Sequence, residues 1–173
     1  MNPIRTPRLL LVPATAELAL AEWRHRLRFF AMLGVPERGD WPSEDLREIL
    51  PAVVEELREH PDHAGWLPWY WIRRTSKGDS LVGGGGFKGP PGEDGVVEIG
   101  YETCAEQRGH GFAVEAVSAL VEWALAHEIV TCVCGEAHED NAASRAVLRR
   151  VGFIEIGEGA EPELLRYERQ RKA

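Results

Sequence analysis

Apolar and polar positions recur along this chain with two different periods, and the changes from one to the other mark out its elements. Residues 8–12 form a short apolar run closed by Pro13 and read as a strand. Thr15 stands where a helix cap belongs, and Leu18, Ala19, Trp23, Leu27 and Phe30 follow at helical spacing. Residues 34–42, rich in glycine and proline, form a loop. Ser43 caps a second predicted helix, and Glu44 and Asp45 place negative charge in its first turn, where the helix dipole favours it. Leu46, Ile49, Val53 and Leu57 share one face of that helix. Pro51 lies inside it, and because its ring nitrogen cannot donate to the preceding turn, a kink or break is expected near residues 49–50.

After a turn at 60–68, residues 69–73, 80–88 and 96–103 read as three strands, joined by Ser76-Lys77-Gly78-Asp79 and by the Pro/Gly-rich turn 89–95. No helix separates them, so an antiparallel meander is expected. The period then changes. Between 112 and 127, apolar residues fall at 113, 114, 117, 120, 121, 124 and 125, the stripe of an amphipathic helix. Residues 129–134 read as a buried strand and 141–151 as a helix stopped by Gly152, and 153–156 and 164–169 as two last strands. With no repeat, linker or low-complexity segment in view, the expectation is one mixed α/β (α+β) domain over residues 1–173.

Composition narrows the function. Hydrophobic residues are 44% and charged residues 28% of the chain, an ordinary globular balance that argues against disorder. Twenty basic residues against 28 acidic ones leave a net charge of −8, which repels a long polyanion, so no nucleic-acid partner is expected. A phosphate-bearing ligand would need a local pocket. The three cysteines, Cys104, Cys132 and Cys134, form no CxxC pair; they read as small buried thiols rather than a disulfide framework or a zinc site. Residues 9–12 are too short an apolar run for a signal-peptide core or a membrane span, so a cytoplasmic protein with no membrane partner is expected.

One segment can carry chemistry on physical grounds alone. Arg108-Gly109-His110-Gly111-Phe112-Ala113 lies between the third meander strand and the amphipathic helix. A strand, a glycine-bearing turn and a helix start aim several backbone N–H groups at one point, and the helix dipole adds partial positive charge there. That is a pyrophosphate cradle, although the same turn could serve only to enter the helix. Gly84-Gly85-Gly86-Phe87-Lys88-Gly89 spells out the dinucleotide fingerprint, but Pro90-Pro91-Gly92 follows and forbids the helix that motif must open. Those glycines mark a bulged strand or a close backbone approach instead. Trp66, Trp69 and Trp71, with Trp41 upstream, read as core packing, and His60 and His63 as loop residues.

Glu98-Ile99-Gly100-Tyr101 through Gln107-Arg108-Gly109-His110-Gly111-Phe112-Ala113-Val114-Glu115-Ala116 resembles the acetyl-CoA-binding motif of the GNAT N-acetyltransferases, with Arg108, Gly111 and Ala113 on its pattern positions. Asn141-Ala142-Ala143-Ser144, running to Val151-Gly152-Phe153, is similar to the family's downstream element. The opening Arg5-Thr6-Pro7-Arg8-Leu9-Leu10-Leu11-Val12-Pro13 looks most like the branch that acetylates protein N-termini, ribosomal proteins among them. The resemblance spans most of residues 5–170. It implies a GNAT fold: a central mixed, mostly antiparallel twisted sheet of about seven strands flanked by about four helices.

It also implies roles. Backbone amides of Arg108, Gly109, His110, Gly111, Phe112 and Ala113 would hold the pyrophosphate of acetyl-CoA, the cosubstrate, and the strand carrying Ile99, Tyr101 and Thr103 would pair with its pantetheine arm. Asn141 would reach that arm or hold the adjoining loop. Ser144 would stand near the thioester sulfur, and Leu148 occupies the position where many relatives carry a tyrosine acid. Acyl transfer needs a neutral amine, so a carboxylate must accept a proton. Glu98 is the first candidate, with Glu136, Glu139 and His138 in reserve. Plainer readings stand beside these: a solvent-facing strand carboxylate for Glu98, helix capping for Asn141 and Ser144. The expected activity is acetyl transfer to a primary amine, small-molecule or peptide, by direct attack in a ternary complex, in a monomer or homodimer. The alternative is a non-catalytic acyl-CoA-binding or regulatory module.

Overall fold

The computed structural model describes residues 1–171. The chain opens with β1 (Ile4–Arg5) and β2 (Leu9–Pro13), followed by helices α1 (Ala16–Arg24), α2 (Arg26–Leu33) and α3 (Glu44–Glu59). The meander β3 (Pro68–Arg73), β4 (Ser80–Phe87) and β5 (Val96–Thr103) leads into α4 (Phe112–Leu125), and β6 (Cys132–His138), α5 (Ala142–Val151), β7 (Ile154–Glu158) and β8 (Leu164–Gln170) complete it. The strands join in one sheet in the order β1-β2-β3-β4-β5-β6-β8-β7, and every pairing but β5 with β6 is antiparallel. The mixed sheet of the GNAT fold is present with one strand more than expected, the two-residue β1, and with five helices rather than four.

The additional helix arises at His25. Its backbone (φ −141°, ψ 65°) leaves the helical region, so the single stretch read from Leu18 to Phe30 divides into α1 and α2. The change of direction resets the helical phase, which is why Leu27 ends 72% exposed while Phe29 and Phe30 are buried. Pro51 does the opposite of what its type suggests, for α3 runs unbroken through it. An interior proline costs a helix about 3 kcal/mol. Leu50, Val53, Val54 and Leu57 are buried on the same helix, and burying side chains of this size returns about 1.5–3 kcal/mol each. The buried stripe therefore outweighs the proline. Ile49 is not part of that stripe and stands half exposed.

The pleat divides the core in two. On β3, Trp69 and Trp71 face α4 while Tyr70 and Ile72 face the layer of α1, α2 and α3, and all four are buried. The tryptophans are core residues, as expected. The ring of Trp66 packs on Trp123 with centroids 4.6 Å apart, and Trp69 Nε1 donates to the Gly65 carbonyl at 2.9 Å. The strand expected at 129–134 begins only at Cys132. Ile129 is exposed, and the Thr131 N–H bonds to the Gly95 carbonyl, so these residues form the turn into β6. Cys104, Cys132 and Cys134 are free, buried thiols, and burial raises their pKa, to about 11 for Cys104 and Cys132.

One buried charge ties the layers together. Glu22 of α1 lies 4% exposed and accepts hydrogen bonds from Trp41 Nε1 (2.8 Å) and from the Tyr70 hydroxyl (2.5 Å). Burial raises its pKa from 4.5 to about 7, against the lowering effect of those two donors. A carboxyl held high in the folded state stabilises the fold while protonated. Its contribution is complete below the unfolded value and is lost as the pH rises through about 7. Relative to Glu22→Gln, which cannot ionise, the wild-type chain is expected to lose about 3 kcal/mol of unfolding free energy between about pH 4.5 and pH 8. Urea titrations of both proteins at the two pH values check this, and a constant difference between them refutes it.

Candidate active site

The site forms where the sheet comes apart. β5 pairs with β4 from Ile99 to Thr103, and with β6 only at Val96, Val97 and Glu98, opposite Cys132, Val133 and Cys134. β6 continues, paired with β8 along its whole length. From Ile99 onward the β5 edge that faces β6 therefore has no strand beside it, and its backbone donors and acceptors look into an opening between the two halves of the sheet. Gly135 sits at the fork: a Cβ there would lie 3.4 Å from the Ile99 carbonyl oxygen and 3.3 Å from the Leu148 side chain.

At the far end of the opening, the chain leaves β5 through Cys104 and a short 3-10 turn, Ala105–Gln107, and enters α4. Gly109 and Gly111 both adopt left-handed backbone (φ 77° and 78°), which residues with a Cβ seldom tolerate. Gly111 occupies the N-cap of α4 and so offers no side chain to the first turn. Among the described residues, no hydrogen bond is donated by the N–H of Gly109, His110, Gly111, Phe112 or Ala113. The Arg108 N–H differs, since it bonds to the Ala105 carbonyl at 3.3 Å. Five free amides and a helix N-terminus suit an anion.

This turn is held from outside by the N-terminal segment. Arg8 Nη1 donates to the His110 carbonyl at 2.8 Å, Arg8 Nε to Glu115 Oε2 at 2.6 Å, and the guanidinium lies 4.7 Å from the centre of the Phe112 ring. Glu115 Oε1 also accepts from the Thr6 hydroxyl (2.6 Å) and from the Arg8 N–H (2.8 Å). Partial burial acts to raise the Glu115 carboxyl, but the Thr6 and Arg8 bonds outweigh it and hold the pKa below the ordinary range.

Across the opening stands α5. Asn141 caps it, its Oδ1 accepting from the Ser144 N–H at 3.0 Å. The Tyr101 hydroxyl lies 3.1 Å from both the Ser144 carbonyl oxygen and Ser144 Oγ, so β5 and α5 are bridged by side chains where their backbones have parted. Burial pushes the Tyr101 phenol up to about 12, against the lowering effect of its Ser144 bond, and it keeps its proton at neutral pH. Leu148, one turn beyond Ser144, is buried in the core.

Of the sequence-predicted acid–base residues, Glu98 lies on the last rung before the strands part and is ion-paired with Lys88. Glu136 accepts from the Ala160 N–H at 3.0 Å, His138 lies 3.0 Å from Glu163, and Glu139 is exposed. His60 and His63 stack on an exposed turn, where His63 lies 2.6 Å from Glu56.

On the opposite face of the sheet lies a feature the motifs do not announce. A cavity of about 810 Å³ runs between α3 and the glycine-rich stretch of β4 and β5, with Trp41 and Glu102 at one end and Lys88 and Pro90 at the other. Glu102 Oε1 is buried there without a hydrogen-bond partner. Gly84, Gly85 and Gly86 of the false dinucleotide motif belong to β4, and they are needed for close approach. A Cβ on Gly85 would come within 2.4 Å of the Tyr101 Cβ, and β3 and β4 slip register between Trp71 and Ile72. The signal for Glu22 was a lone acid between apolar helix positions. For Glu102 there was none beyond its alternation with Tyr101.

Against this geometry, the family model described as an acetyltransferase (GNAT) domain matches residues 8–154. The chain belongs to the GNAT acetyltransferase family. It is 35% identical over 129 residues to YjdG of Bacillus subtilis (strain 168), named an uncharacterized N-acetyltransferase, covering 75% of this chain and 76% of that one. In fold it is similar to RimL, a ribosomal L7/L12 α-N-protein acetyltransferase solved with coenzyme A (20% identity, 98% of each chain, TM-score 0.66). It is also similar to a ribosomal-protein-S5-alanine acetyltransferase from Vibrio fischeri (16% identity, 99% of this chain and 97% of that one, TM-score 0.66). As a GNAT N-acetyltransferase the protein is an enzyme whose cosubstrate is acetyl-CoA, and the non-catalytic alternative is not favoured. Among the described residues no helix is long and apolar enough to cross a membrane.

The Arg8–Glu115 pair is half exposed on the arginine side, so its coupling in a double-mutant cycle with Arg8→Ala and Glu115→Ala is expected to be about 1 kcal/mol and to shrink in high salt. Denaturant unfolding of the four proteins measures it; zero coupling at low salt would show that the anchor does not hold the turn.

Proposed function

We propose that the protein transfers an acetyl group to a primary amine, a protein N-terminus or a small amine, within one catalytic domain, and that the acetyl-CoA lies in the opening between β5 and β6. The observation that carries this reading is the conjunction of two features at one place: a strand edge left unpaired from Ile99 to Thr103, and five free amides at the start of α4. The amides of Gly109, His110, Gly111, Phe112 and Ala113 would receive the pyrophosphate; the Arg108 amide is engaged elsewhere, so Arg108 would contribute charge. The β5 edge at Ile99, Tyr101 and Thr103 would bond the pantetheine arm as a further strand would. Bound acetyl-CoA supplies an activated thioester, and the chain supplies placement and protons. Asn141 would fix the first turn of α5, while Ser144 would hold a proton at Oγ for the departing sulfur. Tyr101, protonated and bonded to it, would set the orientation of that hydroxyl.

Glu98 keeps the position on the last shared rung where a proton acceptor is wanted, and its carboxylate is engaged there by the Lys88 ammonium. The protein N-terminus as acceptor is favoured by RimL and the S5-alanine enzyme, both named for that chemistry. A cytoplasmic location agrees with such acceptors.

Two measurements test the reading. Isothermal titration with acetyl-CoA, with NADH as control, should give micromolar binding in the wild-type chain. Gly111→Val should weaken it at least about tenfold, because a branched side chain at φ 78° is strained by about 1–3 kcal/mol and crowds the free amides; circular dichroism confirms that the variant is folded. Absence of acetyl-CoA binding to the wild-type chain overturns the site. With an amine acceptor, Ser144→Ala should lower kcat by about 10²-fold or more and leave the acetyl-CoA Kd nearly unchanged, with a smaller loss in Tyr101→Phe.

A further inference from the structure

β5 presents alternate residues to opposite faces of the sheet, and the face away from Tyr101 has no part in holding acetyl-CoA as proposed above. On that face Glu98, Gly100 and Glu102 look toward α3, and the register sets Gly84 beside Glu102 and Gly86 beside Gly100. Three of these positions lack side chains and line the cavity of about 810 Å³; Gly84 is covered by the Trp41 ring and Gly86 by the Leu67 carbonyl. A Cβ built on Gly100 meets no atom within 4 Å, so the floor there is open. Leu46, Ile49 and Val53 of α3 and the Trp41 ring give the walls their apolar area, and Asp45 and Glu56 of α3 also line the space. Ile49, half exposed, is the residue that departs from the buried stripe of α3 to line this space.

Beside Trp41 the chemistry changes. Glu102 Oε1 is buried and unpartnered, and no ion pair of Glu102 with a lysine or arginine occurs among the described residues. The nearby Glu22 carboxyl is already saturated by Trp41 and Tyr70, and it feels the Glu102 charge. Lys88 is at the far end and paired with Glu98, and Arg38 is occupied by Asp40 at 2.9 Å. A buried carboxylate oxygen without a donor is a site that lacks its partner.

We propose that Glu102 is the residue that recognises the acceptor, binding its ammonium group at the Trp41 end of this cavity, and that the acceptor is a primary amine carried on an apolar body. This deepens the acetyltransferase reading and rests on it for the word acceptor. The glycine floor and aliphatic walls receive the body; the orphaned oxygen receives the head. Asp45 and Glu56 also line the cavity, Glu56 engaged by His63 at 2.6 Å, so a polyamine is the competing acceptor and spermidine is the probe that tests it.

The test uses 2-phenylethylamine as the probe, its neutral counterpart 2-phenylethanol, and spermidine, each titrated calorimetrically into the full chain. Wild-type protein should bind 2-phenylethylamine at least about tenfold more tightly than 2-phenylethanol, as expected for a hydrogen bond to a buried charge, and more tightly than spermidine. Glu102→Gln, which keeps shape and removes charge, should abolish the preference for the amine over the alcohol. Gly100→Leu, placed where a side chain has room, should weaken both aromatic probes. Equal binding of amine and alcohol by the wild-type chain, or a preference retained in Glu102→Gln, overturns the role of Glu102; spermidine binding as tightly as 2-phenylethylamine overturns the apolar acceptor. Acetyl-CoA titrated beside them separates the two levels. Its binding should be the same in Glu102→Gln as in wild type, and its failure to bind wild-type protein would strike the proposed function rather than the amine site.

Discussion

Everything functional in this structure follows from a competition for hydrogen bonds along β6. That strand has two edges, and β8 takes one of them over all seven residues, from Cys132 to His138. The other edge is shared with β5 for three rungs only. β5 is committed to β4 through Thr103, so each strand follows its fully paired neighbour and the two diverge after Glu98 and Cys134. Unpaired backbone is costly when it is buried away from water. Here it faces an opening, and a ligand that offers amide groups in an extended chain can complete the ladder. The fork offers the proposed acetyl-CoA site because the sheet is incomplete there, and Gly135, which keeps side-chain bulk out of the angle between Ile99 and Leu148, lets the gap start abruptly.

A gap of this kind would collapse or fray without support, and the supports come from distant parts of the chain. Leu148 plugs the base of the fork from α5, and the Tyr101–Ser144 bridge spans it. Thr6 and Arg8 reach Glu115, more than a hundred residues on, and fix the start of α4 at the other end. The position that the family resemblance marked as a missing tyrosine acid thus has a packing role, and a phenol enters the same opening from the facing strand.

Local signals in the sequence described the elements well where one cause dominated. The third meander strand, the α4 stripe and the Asn141 and Gly152 caps of α5 stand as read, because alternation, periodicity and capping are decided within a few residues. The failures share a cause of another kind. Pro51 stays helical because the burial of Leu50, Val53, Val54 and Leu57 outweighs it, and that burial depends on α1, which a local pattern cannot weigh. Ile129 looked like strand and is turn because Gly95, far away in sequence, captures the backbone of Thr131. The cofactor turn was legible, since glycine positions and a helix start are local. The cavity proposed for the acceptor was not, since it depends on the register that sets β4 beside β5 and on a helix that arrives from a third direction.

The two-residue period of a strand joins these halves. On β5, Val97, Ile99 and Tyr101 pack in the core of α4 and α5, while Gly100 and Glu102 line the cavity under α3. One strand therefore lies between the proposed donor site, which uses its edge and its Tyr101 side, and the proposed acceptor site, which uses its opposite face. An acetyl group passing between two substrates needs both held against a common rigid element. A central strand, hydrogen-bonded to β4 along one side and bracketed by two buried cores, is the stiffest such element available. Glycine at 100, between Tyr101 and Ile99 on the strand edge and between the two glutamates on its face, is the thinnest point of that partition, which gives a physical reason for an open position in the middle of a strand whose neighbours are all occupied.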